Sequence, residues 1–167
     1  MTGESPRQRL ELLYASSRDD VYAYLVSLLG DTAAAEEATA LAFERAFTRR
    51  RLFDRRRGSE RAWLFGIARI AALDELRRRR RRAALPSEEP AAGWPGEDPV
   101  EALVARATVR AALAELSPRE RELIALKFHA GLSNGEIARI LRVSESNAGT
   151  LLHRTITKLR RYCDERA

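Results

Sequence analysis

Apolar residues recur at spacings near three and four along the first thirty positions: Leu10, Leu13, Tyr14, Val21, Leu25, Leu28 and Leu29. That spacing predicts a helix with one apolar stripe. Gly30 ends the stripe, and Asp31 offers an N-cap to a second helix carrying Ala35, Ala38, Ala42, Phe43, Ala46 and Phe47. After Gly58, Ser59 is placed to cap a third helix whose apolar face is Trp63, Leu64, Ile67, Ile70, Leu73 and Leu76, running on into Arg77 to Arg82.

The pattern then breaks. Residues 83–99, AALPSEEPAAGWPGEDP, hold four of the six prolines, each of which lacks the amide donor and restricts its predecessor. The stretch reads as a linker, in which Trp94 is a docking anchor rather than core. Periodicity resumes in an amphipathic helix from Val100 to Leu116, and Ser117, Pro118 and Glu120 then form a capping box with proline in the first turn. A second box, Ser133 and Glu136, follows directly on Gly131 and opens a short helix containing Ile137, Ala138, Ile140 and Leu141. Ser144 caps a final helix carrying Ala148, Leu151, Leu152, Ile156 and Leu159. Short helix, tight turn and second helix make a helix-turn-helix, a unit that lays its second helix in the DNA major groove. Strand-like alternation is rare. The expected fold is all-α: two small helical domains, 1–82 and 100–167, joined by the acidic, proline-rich linker 83–99.

Length and composition narrow the function. A chain of 167 residues with 45% hydrophobic content can build one or two small cores, which excludes a large multidomain enzyme. Cys163 is the only cysteine, and His129 and His153 are the only histidines. No disulfide, cysteine-rich zinc site, HExxH motif, triad-like grouping or Gly-rich phosphate loop follows from them. We therefore expect no catalytic residue, no metal and no cofactor. The most apolar run, VYAYLVSLL at 21–29, is far short of the roughly 20 residues a membrane span needs, and residues 1–20 hold no signal-like run. A cytoplasmic protein without membrane insertion is expected.

Charge is where composition becomes informative. The net charge is +6, and 28 of the 30 basic residues are arginine. Arginine richness alone is weak evidence, because codon usage in a GC-rich genome produces it. Its distribution says more. From Arg49 to Arg82 there are 14 basic and 4 acidic residues, a local excess of +10; residues 1–48 and 83–99 each carry −4, and 100–167 carry +4. The asymmetry points to a polyanion partner for the middle and the C-terminal part, with the acidic N-terminal face turned to something else.

Three stretches, LLGDTAAAEEATALAFERAF, FDRRRGSERAWLFGIARIAALDELRRRRRR and LSPRERELIALKFHAGLSNGEIARILRVSESNAGTLLHRTITKLR, resemble in order the two helical domains of extracytoplasmic-function (ECF) sigma factors. The likeness spans about residues 10–82 and 100–162. RAWLFGIAR followed by DELRR is its most specific part; LSPRERE and GLSNGEIA would also suit LuxR-type response regulators. The resemblance implies a promoter-specificity subunit that binds the β′ clamp and β flap of core RNA polymerase and also binds promoter DNA. An anti-sigma factor or other regulatory partner is implied as well. Carried over position by position, polymerase would be met by Glu36, Glu37, Phe43 and Arg45. The −10 element would be met by Asp54, Arg55, Arg56, Arg57 and Ser59, the loop that holds an unstacked base, and by Arg61, Arg69, Arg77, Arg78 and Arg81. For the −35 element the positions are Ser146, Asn147, Thr150, His153 and Arg154, with Lys127, Asn134 and Lys158 on flanking phosphates. The acidic linker would pass through polymerase channels built for nucleic acid.

The chain departs from the family pattern in places. Ala40 and Leu41 stand where an acidic or amide pair is usual, Ile70 replaces an asparagine, Gly149 and Leu151 replace basic residues, and Arg142 replaces a small residue in the turn. These positions keep two other readings open: a helix-turn-helix regulator that never joins polymerase, and a sigma-like protein that titrates an anti-sigma factor. Thr39, on the depleted second helix, offers a phosphorylation site that would restore negative charge.

Overall fold

The computed structural model describes residues 5–83 and 100–165; the linker, with Trp94, lies outside them. Seven helices run in order α1 (Pro6–Leu29), α2 (Thr32–Thr48), α3 (Glu60–Arg82), α4 (Val100–Ala114), α5 (Pro118–Phe128), α6 (Asn134–Leu141) and α7 (Glu145–Asp164). Two short 3₁₀ turns, Arg50–Leu52 and Arg55–Arg57, sit between α2 and α3. No strand occurs among the described residues.

The helix ends follow the capping chemistry. Gly30 takes the left-handed conformation and its N–H donates to the Val26 carbonyl. The side chains of Asp31, Ser59 and Ser144 accept from Ala34, Ala62 and Asn147. Both expected capping boxes are complete, Ser117 with Glu120 and Ser133 with Glu136. A third, Ser5 with Gln8, opens α1.

Helices α1, α2 and α3 pack on one another, as do α5, α6 and α7, with α4 against α7. The contact face of α2 is a ladder of small residues, Ala35, Ala38, Ala42 and Ala46, all buried. α3 answers with Ala62, Ala68, Ala71 and Ala72, so the helix axes can approach closely. Large side chains fill the space left over, and the Tyr24 and Phe65 rings meet edge to face at 5.4 Å. The two domains are also packed together, α1 against α5 and α3 against α6.

The buried faces differ from the expected stripes. Tyr14, Phe47 and Ile70, expected on apolar faces, are about half exposed, whereas Ser17 and Tyr24 are buried. The buried set on α3 is wider than one stripe because α3 touches α1, α2 and, from the other domain, α6. α4 ends at Ala114, two residues short of the expected Leu116. Thr39 is buried and donates its hydroxyl to the Ala35 carbonyl at 2.7 Å, so it is not presented for phosphorylation.

Glu120 ties the cap of α5 to α7. The Ser117 N–H, and then the Lys158 ammonium 3.0 Å away, hold its carboxyl below its ordinary value of 4.5. A depressed carboxylate contributes stability above its unfolded pKa and loses it as pH falls through the folded value. We expect Glu120→Gln to lower the thermal midpoint at neutral pH, with the gap to the wild type closing as the solution is acidified through that range. Thermal melts across a pH series check this.

Candidate nucleic-acid interface

The loop between α2 and α3 is organised by Asp54, whose carboxylate accepts from the Arg56 N–H at 2.9 Å and caps the second 3₁₀ turn. Arg55, Arg56 and Arg57 are exposed on that turn. Beside it lies a cavity of ≈ 500 Å³. It is lined by Leu10 and Leu13 of α1, by Phe53 and Trp63, and by Arg9, Arg50, Arg51 and Arg55, with Glu60 also in the lining and 3.6 Å from Arg9. The Phe53 and Trp63 rings are 5.5 Å apart and tilted by 50°. Trp63, which reads as core in the sequence, is only partly buried. Phe53, Arg9, Arg50 and Arg51 were not among the expected site residues: the cavity joins the start of α1 to a loop forty residues later, a juxtaposition with no local signal.

The basic end of α3 divides by direction. Arg77, Arg78 and Arg81 are exposed, the first two paired with Asp74 and Glu75 at 3.4 and 2.6 Å. Arg79 turns inward and donates to the Leu29 carbonyl at 2.7 Å, closing the C-terminus of α1, where the helix dipole favours a cation. Arg61 and Arg69 leave the expected DNA face altogether. Arg61 pairs with Asp20 at 2.6 Å and donates to the Ala130 carbonyl at 2.6 Å; Arg69 pairs with Glu122 at 2.7 Å. Ser59 donates to Glu136 at 2.6 Å. Burial pushes the Glu136 carboxyl up, but the Ser59 hydroxyl and the Ser133 N–H outweigh it and leave the group below its ordinary value.

On α2, Glu36 and Glu37 are exposed. Arg45 is half-buried and 3.5 Å from Asp74. Phe43 is buried, meeting Tyr14 edge to face at 4.8 Å, so its ring secures α2 against α1 instead of offering a free surface.

In the second domain, Ser146, Asn147, Thr150, His153 and Arg154 are exposed together. Their spacing puts them on one face of α7, opposite buried Ala148, Leu152 and Thr155. Lys127 and Lys158 depart from the expected phosphate role. The Lys127 ammonium donates to the Leu132 carbonyl at 3.3 Å and lies 3.5 Å from Asn134 Oδ1, and Lys158 is held by Glu120. Leu151 is partly buried against the core, and a Cβ on Gly149 would touch the Asn134 side chain at 3.4 Å. The positions lacking the usual basic residues thus lie at packed surfaces.

Comparison with known families agrees with both halves. A family model for sigma-70 region 2 matches residues 13–82, and one for sigma-70 region 4 matches residues 106–159. The ECF RNA polymerase sigma factor SigL of Mycobacterium tuberculosis is 30% identical over 154 residues, covering 90% of this chain and 86% of the relative. The chain belongs to the ECF sigma factors. SigX of Bacillus subtilis is likewise 30% identical, over 94% of this chain and 84% of its own. The solved sigma factor RpoE of Bartonella quintana, in complex with the anti-sigma factor NepR, has the same fold: TM-score 0.74 at 20% identity, covering 94% of this chain and 98% of that one. CnrH, in complex with the cytosolic domain of CnrY, gives a TM-score of 0.69 at 21% identity, covering 98% and 92%. The protein is accordingly an RNA polymerase sigma factor that directs transcription initiation at promoters. No helix among the described residues is long and apolar enough to cross a membrane.

The turn of the helix-turn-helix carries strain. Arg142 has φ 56°, ψ 47°, and among the described residues no other non-glycine has positive φ. A left-handed backbone costs an ordinary residue about 1–2 kcal/mol, partly offset in a glycine replacement by the larger entropy of the unfolded chain. We expect Arg142→Gly to stabilise this ECF sigma factor by up to about 1 kcal/mol, read as a higher urea midpoint with an unchanged slope.

Proposed function

We propose that residues 1–82 engage core RNA polymerase and the −10 element, and that residues 100–167 read the −35 element, the unit at 83–99 connecting them. The observation that carries the −10 assignment is the cavity between Leu10, Phe53 and Trp63, lined by arginines. An extruded base needs an aromatic surface to recover its lost stacking, and the nucleotides on either side of it bring phosphates that need cations. Phe53 and Trp63 supply the first, and Arg50, Arg51 and Arg55 the second. Arg56, Arg57, Arg77, Arg78 and Arg81 continue the basic track for duplex phosphates. On α7, Thr150 and Arg154 are the base-reading side chains, with Ser146, Asn147 and His153 beside them. Glu36, Glu37 and Arg45 face the polymerase clamp.

In this reading the chain performs no reaction of its own; it supplies binding energy and sequence preference to the polymerase, and it acts in the cytoplasm. An anti-sigma factor is the regulatory partner we extend to it, the class of partner bound to RpoE.

Reconstitution with core polymerase, followed by genome-wide mapping of starts, tests the assignment. Stacking a base on an aromatic ring is worth about 1–3 kcal/mol. Phe53→Ala should therefore reduce promoter opening by about tenfold or more, while binding to core polymerase is unchanged. Equal opening by variant and wild type would remove the cavity from the −10 site. Arg154→Ala should relax preference at one position of the −35 consensus rather than weaken all sequences alike.

A further inference from the structure

Ile70 is a large apolar side chain left in water in the middle of α3: it is 52% exposed and stands outside the buried cluster. The helical period puts Trp63, Gly66, Ile70, Arg77 and Arg81 on one face of that helix. Trp63 lines the cavity at one end of the face, and Arg77 and Arg81 are exposed at the other. Between them Gly66 leaves the surface open, with no atom within 4 Å of where its Cβ would stand. Glycine inside a helix is unfavourable relative to alanine, and no internal packing calls for it here. Asp74 falls on the same face, but its carboxylate lies 3.5 Å from Arg45 and 3.4 Å from Arg77, so its charge is answered within the protein.

The face therefore runs from an aromatic cavity, through an apolar notch, to cations. Among the four bases only thymine shows an apolar group, its C5 methyl, on the major-groove edge. Set against an isoleucine, a wholly polar edge would lose its water without gaining a partner. We propose that Ile70, beside the gap at Gly66, is a specificity-determining residue that reads one thymine of the −10 element through that methyl. This rests on the DNA role proposed above for domain one. Asparagine, which the family pattern has at this position, can both donate to a base and accept from one, whereas isoleucine can do neither. Its β-branched side chain is nearly fixed in one rotamer within a helix, so it presents the same methyl surface before and after binding. Two helical turns, about 10 Å, separate it from Trp63. The thymine it reads thus stands about three base steps from the extruded base, on the side of Arg77 and Arg81.

Deoxyuridine differs from thymidine by that methyl alone, so the DNA can be altered while the protein stays intact. With the holoenzyme reconstituted on core polymerase and a promoter taken from its mapped starts, each thymine of the −10 region is replaced in turn and affinity is read by competition. One replacement, about three steps from the extruded base, should weaken binding by about fourfold, the value of one buried methyl group. In the Ile70→Ala holoenzyme the thymine and deoxyuridine promoters should bind alike, with circular dichroism verifying that the variant is folded. A consensus without thymine in that interval, insensitivity to every single deoxyuridine, or the same loss in Ile70→Ala overturns the proposal. Weaker binding of Ile70→Ala to core polymerase in the absence of DNA overturns it as well, because the apolar face would then meet protein. Arg77→Ala with Arg81→Ala separates the two layers. If that pair leaves promoter affinity untouched, the DNA role of α3 fails and the thymine reading with it; if it weakens binding while deoxyuridine changes nothing, only the thymine reading fails.

Discussion

A carboxylate taken out of water must be matched by donors, and Glu122, only 9% exposed, is matched from the other half of the chain. Both its described hydrogen bonds come from domain one, from Tyr24 on α1 and Arg69 on α3. Losing one partner of such a pair costs about 3–5 kcal/mol when the remaining charge stays buried. With the domains together, then, the relative position of α5, α1 and α3 is tightly specified. When they part, water solvates all three groups and the penalty disappears. Polar burial of this kind adds a defined geometry to an apolar seam, because one continuous cluster of buried hydrophobic residues runs from Val21 and Leu25 in the first domain to Leu123 and Leu126 in the second. Consistent with that, no buried side-chain nitrogen or oxygen among the described residues lacks a hydrogen-bond partner.

The elements themselves were legible because their signals are local. Caps at Asp31, Ser59, Ser117, Ser133 and Ser144, and the stop at Gly30, are set by hydrogen bonds within three or four residues, and each stands where the spacing places it. The two-domain helical plan and the exposed polar face of α7 follow from the same periodicity. What the sequence could not disclose were contacts made across long separations. Tyr24, absent from the expected stripe, is buried where α1 meets α5 and bonds to Glu122 about a hundred residues away, whereas Ile70, expected on the apolar face of α3, is half exposed. The cavity beside the loop was half legible: Asp54 to Ser59 was singled out, while Arg9, Leu10 and Phe53 enter it only once α1 is laid beside the loop.

Arginine count misleads for the same reason. The +10 block from Arg49 to Arg82 reads as one continuous polyanion surface, yet its members serve three ends. Arg79 closes the C-terminus of α1 on the Leu29 carbonyl. Arg61 and Arg69 bind acceptors that include the second domain's, and Arg55, Arg56, Arg77, Arg78 and Arg81 remain on the surface. A guanidinium suits each task because its five donors in a planar fork can satisfy carbonyls, carboxylates or phosphates without changing protonation. Lysine would not substitute at Arg61, which meets Asp20, Ser17 and three carbonyls at once. The exposed members give affinity that salt screens, whereas the buried ones are screened much less. Raising ionic strength therefore weakens contacts of the exposed arginines with any polyanion more than it weakens the contacts holding the two domains together.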